Sequence, residues 1–452
     1  MADSRRSRRP DGDGLHPVER AVASILREVV PSGGGVAVAL SGGRDSIAVL
    51  DALAPLARAL RPFAFHVHHG LSAHADAWTS FCRDACAARD VAFAVRHVHV
   101  HAQRHGVEAA ARTARYDALV ALAREHGVPC VLLAHHADDQ AETMLLQLAR
   151  GAGPHGLAAM PRVAERHGVR WLRPFLLLSR ATIDDYVKAR RLAYVEDDSN
   201  ANVGFRRNAL RAHVVPALRT IAPGYPATLV RAAQHQAASA LLLDELAAID
   251  ADSAFDGCSL DVRRLGSLTV ARSANVLRWF LRKQRLRPPP VARLEAMLVQ
   301  LRAARPDARI DFAHDGARVG LHRGRLFVHG AAPEAFHAPW NGTPDVRLPH
   351  GTLVFTSTEG RGIARRCLAQ ASVTIRSGER GERLLPAGRT ARRAVADLLR
   401  EAGVPQWERN GLPRVYCDGA LAAVARAGTD ARFAAGPDEP GLTLDWHPAG
   451  ID

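Results

Sequence analysis

Lysine is almost missing from this chain. Among 60 lysines and arginines only Lys188 and Lys283 are lysines, so arginine carries nearly all the positive charge. Neither lysine stands in a candidate site, which argues against covalent lysyl-nucleotide or Schiff-base chemistry. Cysteine is sparse and dispersed: Cys82, Cys86, Cys130, Cys258, Cys367 and Cys417 include no C-x-x-C pair. That spacing argues against disulfides and against cysteine-bound zinc or iron–sulfur centres. There is no H-E-x-x-H either, and the histidines of the His66-Val67-His68-His69 run alternate faces on a strand, which speaks against zinc. No window reaches the ~18 uninterrupted apolar residues of a membrane helix, and the N-terminus lacks a signal peptide's apolar core. The expectation is a soluble cytoplasmic protein with no membrane partner.

What is present points to a polyanion. The 452 residues are 47% hydrophobic and 23% charged, enough for two or three domains with real cores. The formal charge is +14 and the sequence pI about 10.5. A small-molecule enzyme has no need of such a field, whereas a protein that holds RNA or DNA does. Arginine suits bidentate phosphate contacts and stacking on bases.

The most informative stretch is Val36-Ala37-Val38-Ala39-Leu40-Ser41-Gly42-Gly43-Arg44-Asp45-Ser46, followed by Ile47-Ala48-Val49-Leu50. It reads as strand, tight turn and helix N-terminus. Glycines there let backbone N–H groups close around an anion, Ser41 and Ser46 add hydroxyls, and the helix dipole favours negative charge. The common ATP loop would place a lysine here. Asp45 stands instead, and an acid beside a phosphate cradle calls for a divalent cation between them.

Around this loop the pattern alternates. Strands are expected at residues 36–40, 63–68, 92–100, 130–135 and 171–175, and helices at 16–30, 45–60, 72–89, 107–126 and 138–150. This is a doubly wound, parallel, five-stranded α/β sheet, whose ligands bind at the carboxyl ends of the strands. His69 ends the second strand. Asp138, Asp139 and Glu142 open the helix after the fourth, where they are either helix N-terminal charges or metal and substrate ligands. Glu108, Arg112 and Arg115 share one helix face, as a solvated salt-bridge stripe or as groups turned to the cradle. Gly151-Ala152-Gly153-Pro154-His155-Gly156 matches G-x-G-x-x-G, but it follows a helix rather than a strand and reads as a loop.

Residues 1–14 form a basic, flexible tail and 15–220 the nucleotide domain. Residues 221–335 are mainly helical with a basic face and later hairpins, and 345–452 form a small α+β domain. An acidic turn at 196–200 enters a basic helix carrying Asn208 and Arg211. Arg383 and Arg389 belong to an arginine-rich C-terminal segment that, with Trp407, makes either an RNA surface or, for the tryptophan, core filling.

Ser-Gly-Gly-Arg-Asp-Ser resembles the pyrophosphate loop of the N-type ATP pyrophosphatases, with their adenine nucleotide α-hydrolase-like sheet. Taken with 66–72, 108–116, 135–143, 151–161, Arg173-Pro174, 196–218 and 378–407, nearly the whole chain resembles the bacterial tRNA(Ile)-lysidine synthetases. The resemblance implies ATP and Mg²⁺ as cofactors, and as partners free L-lysine and the minor isoleucine tRNA with a CAU anticodon. ATP would adenylate the C2 oxygen of the wobble cytidine, and the lysine ε-amine would then displace AMP, switching decoding from AUG to AUA. Ser41, Gly42, Gly43, Arg44 and Ser46 would hold pyrophosphate, and Asp45 with Asp139 would place the metal. Arg112, supported by Arg115, would contact the α-phosphate, and Glu142 would bind or deprotonate the lysine ammonium. His69, Asp138, Asn208, Arg211, Arg383 and Arg389 would serve the substrate or the tRNA. A sulfur-inserting relative would want paired cysteines. Family members are often homodimers, though no feature of this sequence shows it.

Overall fold

The computed structural model describes residues 14–31, 33–56, 60–70, 72–99, 107–196, 206–305, 308, 310–330 and 334–448. The basic tail except Gly14, most of the acidic turn at 196–200 and residues 201–205 lie outside them, as does the side chain of Glu108. The chain divides into two compact units, residues 1–242 and 243–452.

The first unit is built on one sheet. Its strands are β1 (Gly35–Ala39), β2 (Arg61–His68), β3 (Ala92–His97), β4 (Cys130–Leu132), β5 (Val163–Arg166) and β6 (Val169–Leu172), in the order β3-β2-β1-β4-β6-β5. The five expected strands are all present and mutually parallel. A sixth, β5, pairs antiparallel with β6 at the edge. His167 and Gly168, at φ +56° and +76°, make the two-residue turn that joins them. Four residues ending in Glu165 and Arg166 carry too little alternation to announce a strand.

The helices are α1 (Pro17–Val29), α2 (Arg44–Leu53), α3 (Ala75–Ala87), α4 (Val107–Glu125), α5 (Ala137–Leu148), α6 (Pro154–Leu157) and α7 (Arg180–Ala189), then α8 (Arg206–Ala209), a π-helical turn (Leu210–Val214), α9 (Val215–Ile221) and α10 (Tyr225–Ala251). The apolar run of β1 is continuous because both its faces are covered. Val36, Val38 and Leu40 pack with Val22, Ile25, Leu50 and Tyr186 from α1, α2 and α7. Ala37 and Ala39 face Leu119, Ala123 and Trp171. Strand order runs outward from β1 in both directions, so the crevice beyond the ends of β1 and β4 is the switch point where such folds hold ligands.

The glycine-rich segment after α5 leads into the single turn of α6, with no strand before it. Gln140 pins the chain just beyond α6: its amide accepts from the Met160 N–H and donates to the Met160 carbonyl, both at 2.9 Å.

In the second unit, helices Val262–Ser267, Val270–Lys283 and Val291–Arg302 pack with an antiparallel four-stranded sheet through Leu277, Phe280, Leu294 and Leu326. The expected hairpins are its strands Asp311–His314, Ala317–His322 and Arg325–His329. Beyond them come sheets of five and four strands and a two-stranded ribbon, Arg383–Leu384 with Arg393–Ala394. Trp407 stacks on His329 with centroids 4.2 Å apart and planes 3° from parallel. It also closes on Gly320, where a Cβ would lie 2.6 Å from the indole. The indole therefore packs on this unit's own sheet. Among the described residues no helix is long and apolar enough to cross a membrane.

Candidate functional site

The loop after β1 is already folded as a cradle. Ser46 Oγ donates to the Gly43 carbonyl at 2.8 Å and lies 3.1 Å from Ser41 Oγ, and the Ser41 N–H points at Ser46 Oγ at 3.3 Å. Gly42 has φ +85°, a conformation that side chains resist. A Cβ there would stand 2.8 Å from Val195 Cγ2 and 3.1 Å from Cys82 Sγ. The Gly42 carbonyl also accepts from the Val195 N–H at 3.0 Å. Gly42→Ala is therefore expected to cost about 1–3 kcal/mol of stability, read as a lowered denaturant midpoint. The side chain of Arg44 turns aside and pairs with Asp184 of α7 at 2.7 Å.

Asp45, in the first turn of α2, meets the start of α5 across one histidine. His136 Nε2 lies 3.8 Å from Asp45 Oδ2 and 3.4 Å from Asp139 Oδ2, while its Nδ1 is 3.7 Å from Asp138 Oδ2. The backbone N–H of His136 donates to Asp139 Oδ2 at 3.0 Å. Loop and helix, far apart in sequence, thus converge on one buried imidazole. Burial alone would oppose ionisation of Asp139, but His136, Arg207 and His135 outweigh it and hold its pKa below the usual carboxylate value. Asp45 Oδ1 is buried with no hydrogen-bond partner. Among the described residues, no group of three or more His, Cys, Asp or Glu is placed to cage a metal ion.

One turn along α5, Glu142 is buried under two arginines. Arg207 Nε donates to its Oε2 at 2.7 Å and Arg211 Nε to its Oε1 at 2.6 Å. Both guanidiniums also reach Asp139 Oδ1 at 3.2 Å. Arg207 and Arg211 sit four residues apart where α8 passes into the π turn, a rare geometry that recurs at functional sites. Asn208 lies between them, half-buried.

On the other side, α4 carries Arg112 and Arg115. With Tyr116, Trp171 and Arg173, Arg112 lines a cavity of about 250 Å³. The Arg112 guanidinium lies over the Tyr116 ring, 5.4 Å from its centroid. His135, at the end of β4, joins this side to the carboxylates. Burial pushes its pKa down to about 3, against the pull of Asp139 and with the help of Arg173, Arg112 and Arg115. It is a neutral imidazole at neutral pH.

The structure thus brings together Ser41, Gly42, Gly43, Asp45, Ser46, Asp138, Asp139, Glu142 and Arg211. His69 is half-buried at the carboxyl end of β2. Arg383 and Arg389 are exposed in the second unit, where Arg383 donates to the Arg392 carbonyl at 2.8 Å. The sequence reading names neither His136 nor Arg207 as a site residue. Asp139 stands three positions after His136, and Arg207 four before Arg211. These spacings were the available signals, but each is common on ordinary helices.

Known proteins carry the same arrangement of segments. A PP-loop domain model matches residues 15–218. A model described as the TilS substrate binding domain matches residues 260–327, and one described as the TilS substrate C-terminal domain matches residues 373–446. The chain is 36% identical over 439 residues to the tRNA(Ile)-lysidine synthase of Nitrosomonas europaea, covering 94% of this chain and 95% of that protein. It is 40% identical over 460 residues to the enzyme of that name from Ralstonia nicotianae, covering 96% of each. With that of Burkholderia pseudomallei it shares 38% over 468 residues, 94% of this chain and 95% of the other.

Proposed function

The chain belongs to the tRNA(Ile)-lysidine synthase family, and from that premise we propose how its own residues divide the work of lysidine formation on isoleucine tRNA. The enzyme uses ATP through its PP-loop domain. The observation that carries the assignment is the meeting of Asp45 and Asp139 at His136, directly beside the Ser41–Ser46 cradle.

In this reading Ser41, Gly42, Gly43 and Ser46 hold the pyrophosphate that departs when the cytidine C2 oxygen attacks the α-phosphorus of ATP. Asp45 and Asp139 would hold Mg²⁺. The fit is chemical: Asp45 keeps a buried oxygen without a hydrogen-bond partner, and Mg²⁺ is commonly bound by one or two carboxylates together with substrate phosphates. Bound there, the ion would neutralise charge developing on the α/β bridge. His136 Nε2 lies between the two carboxylates, 3.8 Å from Asp45 and 3.4 Å from Asp139. Arg112, with Arg115 behind it, faces the α-phosphate side, and neutral His135 lies between that side and the acids.

Glu142 receives the ε-ammonium of lysine and takes its proton, because an amine must be unprotonated to attack C2 and expel AMP. Arg207 and Arg211 neutralise Glu142 and Asp139. The exposed Arg383 and Arg389 serve the tRNA backbone, in keeping with the charge of +14.

The direct test mixes the protein with an unmodified isoleucine tRNA transcript bearing CAU, ATP and radiolabelled lysine. Label is expected on the tRNA, with one AMP and one pyrophosphate formed per lysine. Label-free tRNA, in a preparation that binds the transcript, overturns the assignment.

A further inference from the structure

The second unit has two lobes with separate cores. The first, helices Val262–Ser267, Val270–Lys283 and Val291–Arg302 with their four-stranded sheet, closes on Leu277, Phe280 and Leu326. The second, from Phe336 onward, closes around Ile375 and Val415 and again around Leu399 and Val404. No residue belongs to the core of both lobes. Lobes built this way swing against each other unless their surfaces are fastened.

Trp407 supplies a fastening. It stands just beyond helix Val395–Glu401 of the second lobe and lies on the first lobe's sheet. Its ring face stacks on His329, its plane is nearly perpendicular to His322 with centroids 6.2 Å apart, and Phe327 is 6.0 Å away. Gly320 beneath it leaves no room for a Cβ. A polar seam runs alongside. His322 Nε2 donates to the Gly403 carbonyl at 2.9 Å. The Arg323 guanidinium donates to the carbonyls of Arg400 and Glu401 at 3.0 and 3.2 Å, at a helix end where carbonyls outnumber their donors. Gly403, at φ +79°, permits that approach, because a Cβ there would stand 2.7 Å from the guanidinium. A glycine thus makes room on each side of the joint.

Both lobes expose arginines: Arg263, Arg264 and Arg285 on the first, Arg383 and Arg389 on the second. Two cationic surfaces gain from binding one polyanion together only so far as their separation matches it, and a fixed joint preserves that match where a loose tether spreads it. We propose that Trp407 is a positioning residue for the tRNA: it holds the two lobes at one separation, so that their arginines engage a single RNA molecule at the same time. The proposal rests on the reading of Arg383 and Arg389 as contacts to the tRNA backbone. It gives the indole a task that neither a base-stacking surface nor the filling of a single core describes.

The test opens the joint from either side in the full-length protein. Trp407→Ala removes the indole, and Gly320→Ala pushes a methyl group against it. KM and kcat are measured for the full-length CAU isoleucine tRNA transcript, with ATP and lysine saturating. Each variant is expected to raise the tRNA KM about tenfold and to leave kcat within about twofold, since part of the gain from linkage is lost and the chemistry is untouched. Trp407→Phe, which keeps a ring to stack on His329, should return KM to within about threefold of wild type. Hydrogen exchange of the strand Arg414–Cys417, in the core of the second lobe, should stay at the wild-type rate in all three. A KM indifferent to both alanine variants overturns the proposal. So does a raised KM accompanied by faster exchange in that strand, which would mean that the lobe itself has unfolded. The double variant Arg383→Ala with Arg389→Ala separates the two levels. If it leaves the tRNA KM unchanged, the reading of those arginines fails, whereas a response there without one at Trp407 and Gly320 sinks the joint alone.

Discussion

Replacing Asp45 by Ala is expected to lower ATP–pyrophosphate exchange about 1,000-fold or more while tRNA affinity stays within about twofold. Several kcal/mol of charge stabilisation at a phosphoryl centre correspond to that loss of rate. The side chain stands in the first turn of α2, with Arg44 at 3.5 Å and His136 at 3.8 Å. Removing it leaves the cradle hydrogen bonds of Ser41 and Ser46 intact, so the loop keeps its shape. In the proposed reading tRNA affinity comes from arginine contacts to phosphates and does not depend on one acid at the nucleotide. Exchange by Asp45→Ala within tenfold of wild type would remove Asp45 from the reaction. A parallel collapse of tRNA binding would indicate that the variant has misfolded, and Asp45→Asn, nearly the same in shape, then repeats the measurement.

Glu142→Gln is expected to separate the two chemical steps. Transfer of lysine should fall by about 100-fold to 10,000-fold, the range that a positioned base contributes, while adenylation of the tRNA continues. Adenylated tRNA should therefore accumulate, visible as AMP released on acid quench in excess of lysidine formed. The carboxamide keeps an acceptor for Arg207 Nε or Arg211 Nε, now at 2.7 and 2.6 Å from the carboxylate, so the fold should tolerate it better than Glu142→Ala. Equal losses in both steps would show that Glu142 serves the architecture of α5 and α8, not the amine.

The sequence exposed the sheet because its strands are buried on both faces and therefore read as continuous apolar runs, and β1 with its glycine turn is the clearest case. It exposed the phosphate loop because Gly42 and Asp45 are each hard to explain singly and harder together. The edge strand β5 escaped because it is four residues long and half polar. The extent of α2 was also overread: its apolar residues continue past Leu53, but the chain leaves the α-helix there through a short 3₁₀ turn at Ala54–Leu56 that contains Pro55. The site was legible as a set of acids and arginines, not as a geometry. Nothing in the spacing of Arg207 says that it folds back over Glu142, 65 positions earlier, because that contact is made by tertiary packing. His136 is hidden for the same reason. A histidine before an acidic helix start is unremarkable until the fold brings Asp45 beside it.

The double hydrogen bond between Gln140 and Met160 has a consequence for how the molecule opens. One side chain supplies both partners that a neighbouring strand would supply, so the segment behind the glycine-rich turn is stitched to α5 as though it were a sheet edge. Releasing it means leaving the two buried polar atoms of the Gln140 amide without these partners, at a cost of about 1–3 kcal/mol for each. Residues 158–160 therefore belong to the same cooperative unit as α5 and do not fluctuate as an independent loop. The helix that carries Asp138, Asp139 and Glu142 is thereby braced from behind, at a point that touches none of the reacting groups.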